Sequence, residues 1–132
     1  MNGGFTLAVE ARRETPPWGS LAWFSTPQDC GAEALTVVEV CFNPGAGHDF
    51  HKHPSQEEVL YVLEGEVEQW VDRERKVLSA GDAAFVGAGV VHASFNVSER
   101  RVRLLAMLGP CAGDGGYEVV DVAGDEPWAS MR

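Results

Sequence analysis

Turn-forming residues break this chain at intervals of about ten positions, and the segments between the breaks are short. Asn43-Pro44-Gly45, Glu64-Gly65, Ala80-Gly81-Asp82, Gly87-Ala88-Gly89 and Gly109-Pro110 are the clearest interruptions. No segment carries a convincing 3.6-residue apolar period over ten or more positions, so long amphipathic helices are excluded. The runs themselves favour strands. Leu35 to Phe42, Glu58 to Leu63, Glu66 to Val71, Lys76 to Leu78, Ala83 to Val86, His92 to Val97, Val102 to Leu108 and Tyr117 to Val122 are β-branched or alternating. Glu64-Gly65 reads as a tight hairpin. The N-terminal third is less regular, with strands expected at Phe5 to Val9 and Leu21 to Phe24 and a break at Thr15-Pro16-Pro17. After Gly124 a short helical turn or irregular tail is expected. The class is all-β, a sandwich or barrel.

At 132 residues the chain is sized for one domain, 1–132. Ten Lys+Arg against twenty Asp+Glu give a net charge of −10, which would repel nucleic acid and anionic membrane surfaces. No run of about 18 apolar residues is present to span a bilayer. The start, MNGGFTLAVEARRETPP, lacks the basic-then-apolar layout of a secretory signal. Cys30, Cys41 and Cys111 are odd in number and form no CxxC. Free thiols in a reducing cytoplasm are expected from that pattern.

Three of the four histidines, His48, His51 and His53, fall within six residues. His51 and His53 are two apart, so on a strand both imidazoles share a face. Glu57 and Glu58 follow across Pro54-Ser55-Gln56, and strand alternation sends those two carboxylates to opposite faces. His92 opens a later strand. Three imidazoles and one carboxylate inside a β-barrel suit a divalent transition ion such as Fe, Mn, Co, Ni, Cu or Zn.

The spacing also resembles the two motifs of the cupin family. Gly45, five residues, His51-Lys52-His53, four residues, Glu58, six residues and Gly65 match the first motif, at 45–65. Gly81, Gly89, His92 and Asn96 match the second, at 81–96, where Gly87 stands in place of the motif's proline. The resemblance implies a jelly-roll β-barrel completed by N-terminal strands within 5–42 and C-terminal strands within 102–122. It implies metal ligation by His51, His53, Glu58 and His92, the count to Gly65 selecting Glu58 over Glu57. Asn96 is read as a structural polar residue. His48 is not a family ligand, and a surface or supporting role is expected for it.

Alternation from Glu58 turns Leu60 and Val62 inward. Val67, Gln69 and Val71 share one face of the next strand, taken as the inner one. Phe42, Phe85, Phe95 and Met107 are further candidates for an apolar substrate pocket, with Trp18, Trp23, Trp70 and Trp128 as candidates for its mouth. Four protein ligands leave open positions on an octahedral ion. The expected function is a metal-dependent enzyme on a small organic substrate, most plausibly a dioxygenase or other oxidoreductase, with Glu58 as a proton carrier. Isomerase or lyase chemistry lies within the family's range. The alternative is a non-catalytic metal-dependent binding module, disfavoured by the absence of an output domain. The resemblance also suggests a homodimer, and the apolar segment with Trp18, Trp23 and Phe24 is consistent with one.

Overall fold

The structure, a computed structural model, describes residues 3–132. Eleven strands form two antiparallel sheets among the described residues. They are β1 (Arg12–Glu14), β2 (Gly19–Ser25), β3 (Thr36–Phe42), β4 (Gly47–Lys52), β5 (Glu57–Glu64), β6 (Glu66–Val71), β7 (Glu74–Ser79), β8 (Ala83–Val86), β9 (His92–Phe95), β10 (Val102–Gly109) and β11 (Val120–Asp121). One sheet runs β1-β2-β3-β10-β5-β8, the other β11-β4-β9-β6-β7. They stack as a jelly roll whose barrel is not closed by hydrogen bonds.

Period-two burial drives the stacking. On β10 Val102, Leu104, Ala106 and Leu108 are buried while the residues between them are only partly covered. On β5 Glu58, Leu60 and Val62 are buried and Tyr61 is exposed. These faces meet Trp23, Val38, Phe42, Val67 and Val86 in the core between the sheets. A second cluster lies on β4, β6 and β9, where Phe50, Trp70, Ala93, Phe95 and Val122 are covered by Trp128 and Met131. There the Arg132 guanidinium sits 3.7 Å from the Phe95 ring centroid.

Several expectations change. Residues 3–7 form no strand, and Ala8 to Glu10 are a turn, because no partner strand runs beside them. Glu64-Gly65 is not a hairpin: β5 and β6 belong to different sheets, and Gly65, at φ 83°, is the corner between them. A Cβ there would lie 2.8 Å from the Arg101 carbonyl oxygen. The tight hairpin joins β6 to β7 instead, with Asp72 at φ 53°. A four-residue helix, α1 (Pro27–Cys30), is too short to show a period; Thr26 caps it by accepting from the Asp29 amide at 2.9 Å. The last strand shrinks to two residues, and the tail makes a 3-10 turn at Trp128–Ser130.

Candidate metal centre

The site is built where β4 and β9 pair. His51 lies opposite His92 in register, so two imidazoles start side by side. The chain leaves β4 after Lys52, and His53 follows in the turn. His51, His53 and His92 are all buried, and one nitrogen from each falls within 4.8 Å of the other two. Glu58 enters from β5, across the core, and is also buried; Glu57 beside it is exposed.

The hydrogen bonds decide which nitrogens face inward. Nδ1 of His51 is 2.6 Å from the Asp49 carbonyl oxygen, Nδ1 of His53 is 2.7 Å from that of Glu118, and Nδ1 of His92 is 3.0 Å from that of Val90. A carbonyl oxygen only accepts, so each neutral ring donates from Nδ1 and carries its lone pair on Nε2. Nε2 of His53, Nε2 of His92 and Oε1 of Glu58 are buried with no hydrogen-bond partner. Yet Oε1 is only 2.8 Å from Nε2 of His92 and 3.6 Å from Nε2 of His53. Close approach of lone pairs without a hydrogen between them is repulsive unless a cation sits among them. The donor set therefore fits a divalent ion, with the Nδ1–carbonyl contacts fixing tautomer and ring orientation.

Ionisation follows the same logic. Burial, then the neighbouring His48 and His92, push the His51 imidazole down to about 2. Burial opposes charge on Glu58, but the flanking His53 and His92 outweigh it and hold the carboxyl at about 2. Burial likewise opposes charge on His53, while Glu58 and the Glu118 carbonyl raise it. A proton on His53 is thus the competitor for the place a cation fills, and metal binding would displace it.

Above these groups opens a cavity of about 110 Å³. Trp18, Trp23, Phe42, Leu60, Leu104 and Tyr117 contribute to its walls, and among the described residues no Lys or Arg lines it. Of the expected pocket residues, Leu60 and Phe42 reach it. Val62 lies deeper in the core. Gln69 is buried and accepts from the Ser94 hydroxyl at 2.6 Å; it lines a separate hollow between β7 and β8. Phe85 is 59% exposed, because β8 turns Val86 inward opposite Glu58 and leaves Phe85 opposite Val59. Phe95 faces the second cluster, since β9 points His92 and Ser94 at the cavity. Met107 takes the outward parity of β10, between the buried Ala106 and Leu108. Trp18 and Trp23 line the cavity, whereas Trp70 and Trp128 belong to the second cluster.

Tyr117 and Gln56 gain roles that the sequence did not assign, while His48 takes the surface and supporting place expected of it. His48 lines the cavity and stacks on His51 with ring centroids 3.5 Å apart. Its side chain is exposed at the cavity's edge, and the protein crowded around the ring, then His92 and His53, lower its pKa to about 4. Tyr117 reaches the cavity from the loop before β11. Gln56 anchors that loop: it donates to the Pro110 and Gly116 carbonyls at 2.7 and 2.9 Å and accepts from the Glu118 amide at 3.1 Å. A buried polar residue in the first motif's gap was the available signal. Asn96 ties the β9–β10 turn, donating to the carbonyls of Phe42 and Arg100.

Two stacked antiparallel sheets with three imidazoles and a carboxylate converging between them define a jelly roll with a candidate metal site. Within it the chain belongs to the cupin family: the family model described as "Cupin domain" matches residues 38–108. The chain is 31% identical over 94 residues to "Polyketide synthase CurC" of Streptomyces cyaneus. That match covers 71% of this chain and 61% of the relative. An RmlC-like cupin from Shewanella frigidimarina superposes with a TM-score of 0.74 at 27% identity, covering 86% of this chain and 96% of that one. KdgF from a Halomonas species has the same fold, with a TM-score of 0.75 at 23% identity, covering 86% and 98%.

Proposed function

We propose that the chain is a metal-dependent enzyme, of dioxygenase or other oxidoreductase type, acting on a small oxygen-bearing organic molecule. The observation that carries this reading is the set of buried, unpartnered Nε2 and Oε1 atoms converging beneath an open cavity. A divalent transition ion held by His51, His53, Glu58 and His92 would polarise a substrate oxygen and, if redox-active, support O₂ chemistry. The chain's own groups do the rest. The carbonyls of Asp49, Glu118 and Val90 orient the three rings and fix the Nδ1–H tautomer. Glu58 is ionised at neutral pH and can accept a proton from a substrate C–H or O–H seated beside it. The apolar walls limit water around that proton. The printed name of the Streptomyces relative supports a carbonyl-rich substrate.

A cytoplasmic, homodimeric protein is part of the same proposal. All three cysteines are free, and Phe5 and Val9 are more than nine-tenths exposed in the N-terminal segment. The test of function is oxygen uptake and substrate loss with metal-loaded protein against diketones and aromatic diols. Turnover abolished by Glu58→Gln is expected. Saturable binding with no conversion of any substrate would replace the enzyme by a binding module.

A further inference from the structure

Trp23 is buried in β2 and lines the cavity, yet its Nε1–H has no acceptor among the described residues. The other fully embedded indole is different: Trp70 donates from Nε1 to Oε2 of Glu68 at 2.9 Å. An indole nitrogen is a donor only, and a buried donor left unpaired is costly. The ring is held firmly. Tyr117 stacks on it with centroids 5.5 Å apart, and the Arg12 guanidinium lies 5.2 Å from its centroid. Besides Trp23, the donors that line the cavity are the Trp18 indole, the Tyr117 hydroxyl and the His48 ring. His53 and His92 present lone pairs from Nε2, Glu58 only accepts, and the Ser94 hydroxyl is committed to Gln69. Among the described residues no Lys or Arg lines the walls to balance a free carboxylate or phosphate. At about 110 Å³ the cavity is below the ~300 Å³ typical of drug-sized ligands, so it takes a molecule of about one ring, or one end of a longer one.

We propose that Trp23 anchors the substrate by donating its Nε1–H to a carbonyl oxygen remote from the metal centre. The substrate class is then a small uncharged, enolisable compound with oxygens at both ends, one end facing the imidazoles and the other Trp23. The inference deepens the metal-site reading and rests on it for the first of those two ends.

The test uses zinc-loaded protein, because zinc is redox-inert and leaves the probes unconsumed. Two probes share one chelating diketone end: heptane-2,4,6-trione, with a distal carbonyl, and heptane-2,4-dione, without it. Calorimetry on wild type and Trp23→Phe should show trione binding weakened about fivefold or more by the substitution, with dione binding changed less than about twofold. In the wild-type protein the Trp23 indole N–H resonance should move downfield with trione and stay in place with dione. That spectrum needs no variant, so it stands even if Trp23→Phe fails to fold. Equal trione affinity in wild type and folded variant would overturn the proposal. So would an indole resonance that ignores the trione, or failure of the wild type to bind either probe. If the protein takes up no zinc, the metal-site reading fails by itself. The same titration of the zinc-free protein then judges Trp23: a trione-specific indole shift upholds the anchor, and none removes it.

Discussion

An imidazole whose Nδ1 donates to a backbone carbonyl offers its Nε2 lone pair to whatever lies on the other side. His51, His53 and His92 all do so toward one point, with Glu58 beside them. His53→Ala and His92→Ala are expected to cut bound metal at least tenfold by mass spectrometry while the circular-dichroism spectrum of the strands persists. The four ligand candidates were legible in the sequence because they sit at fixed spacings. The supporting place of His48 was legible too, but its direction was not, since that depends on a register shift between His48 and His51 that puts both on the cavity side. Titration gives a second prediction at this scale. His51 falls from 6.5 to about 2 and Glu58 from 4.5 to about 2 on folding. Both lowered values favour the deprotonated form in the folded protein. Their stability contribution is present above the unfolded values and lost as pH falls through that range. The raised value of His53 acts in the opposite sense, its share being present below 6.5 and lost as pH rises through the folded value. With His51, Glu58 and His48 lowered against His53 raised, the urea midpoint of metal-free protein should drop between about pH 6 and pH 3, and His51→Asn should flatten the drop. A wild-type midpoint that stays level or rises on acidification would contradict these shifts.

Most strands were readable in the apolar runs, and on β5 so was the inward parity of Glu58, Leu60 and Val62, but on β8, β9 and β10 parity was not. Phe85, Phe95 and Met107 are apolar residues that a pocket would welcome, yet β8, β9 and β10 turn their other parity toward the cavity. On strands covered to some degree on both faces, composition does not say which face is inner. The Glu64-Gly65 corner was misread for a related reason: a glycine turn between two strands does not reveal whether they pair or part into separate sheets. Gln56 shows how an element positions the site. By fixing the loop from Pro110 to Glu118 it holds the carbonyl that orients His53. Gln56→Ala should cost about 2–4 kcal/mol in denaturant unfolding and weaken metal binding about tenfold or more. Unchanged metal affinity would separate the loop from the site. At Gly87, where the second motif has proline, φ is not positive and an added Cβ would touch only Val90 Cγ2 at 3.4 Å. Gly87→Ala should therefore stabilise by about 0.4–1 kcal/mol through the unfolded state, read as a raised urea midpoint.

For the molecule as a whole, one core between the sheets supports both the fold and the metal-site wall. Leu104 is 1% exposed and belongs to that core and to the cavity lining together. Leu104→Ala should cost about 2–5 kcal/mol, whereas Phe85→Ser, on the solvent side, should cost little. Light scattering tests the proposed dimer, with a mass near the 14.3 kDa of one chain counting against it. The account turns on whether the inward-facing lone pairs hold an ion. Metal content by plasma mass spectrometry tests this most directly, on protein as purified and again after reconstitution with iron, manganese, cobalt, nickel, copper and zinc in turn. About one ion per chain is expected, falling close to zero in His92→Ala. No tightly held ion under any of these conditions would contradict the metal centre and leave the four groups without their common purpose.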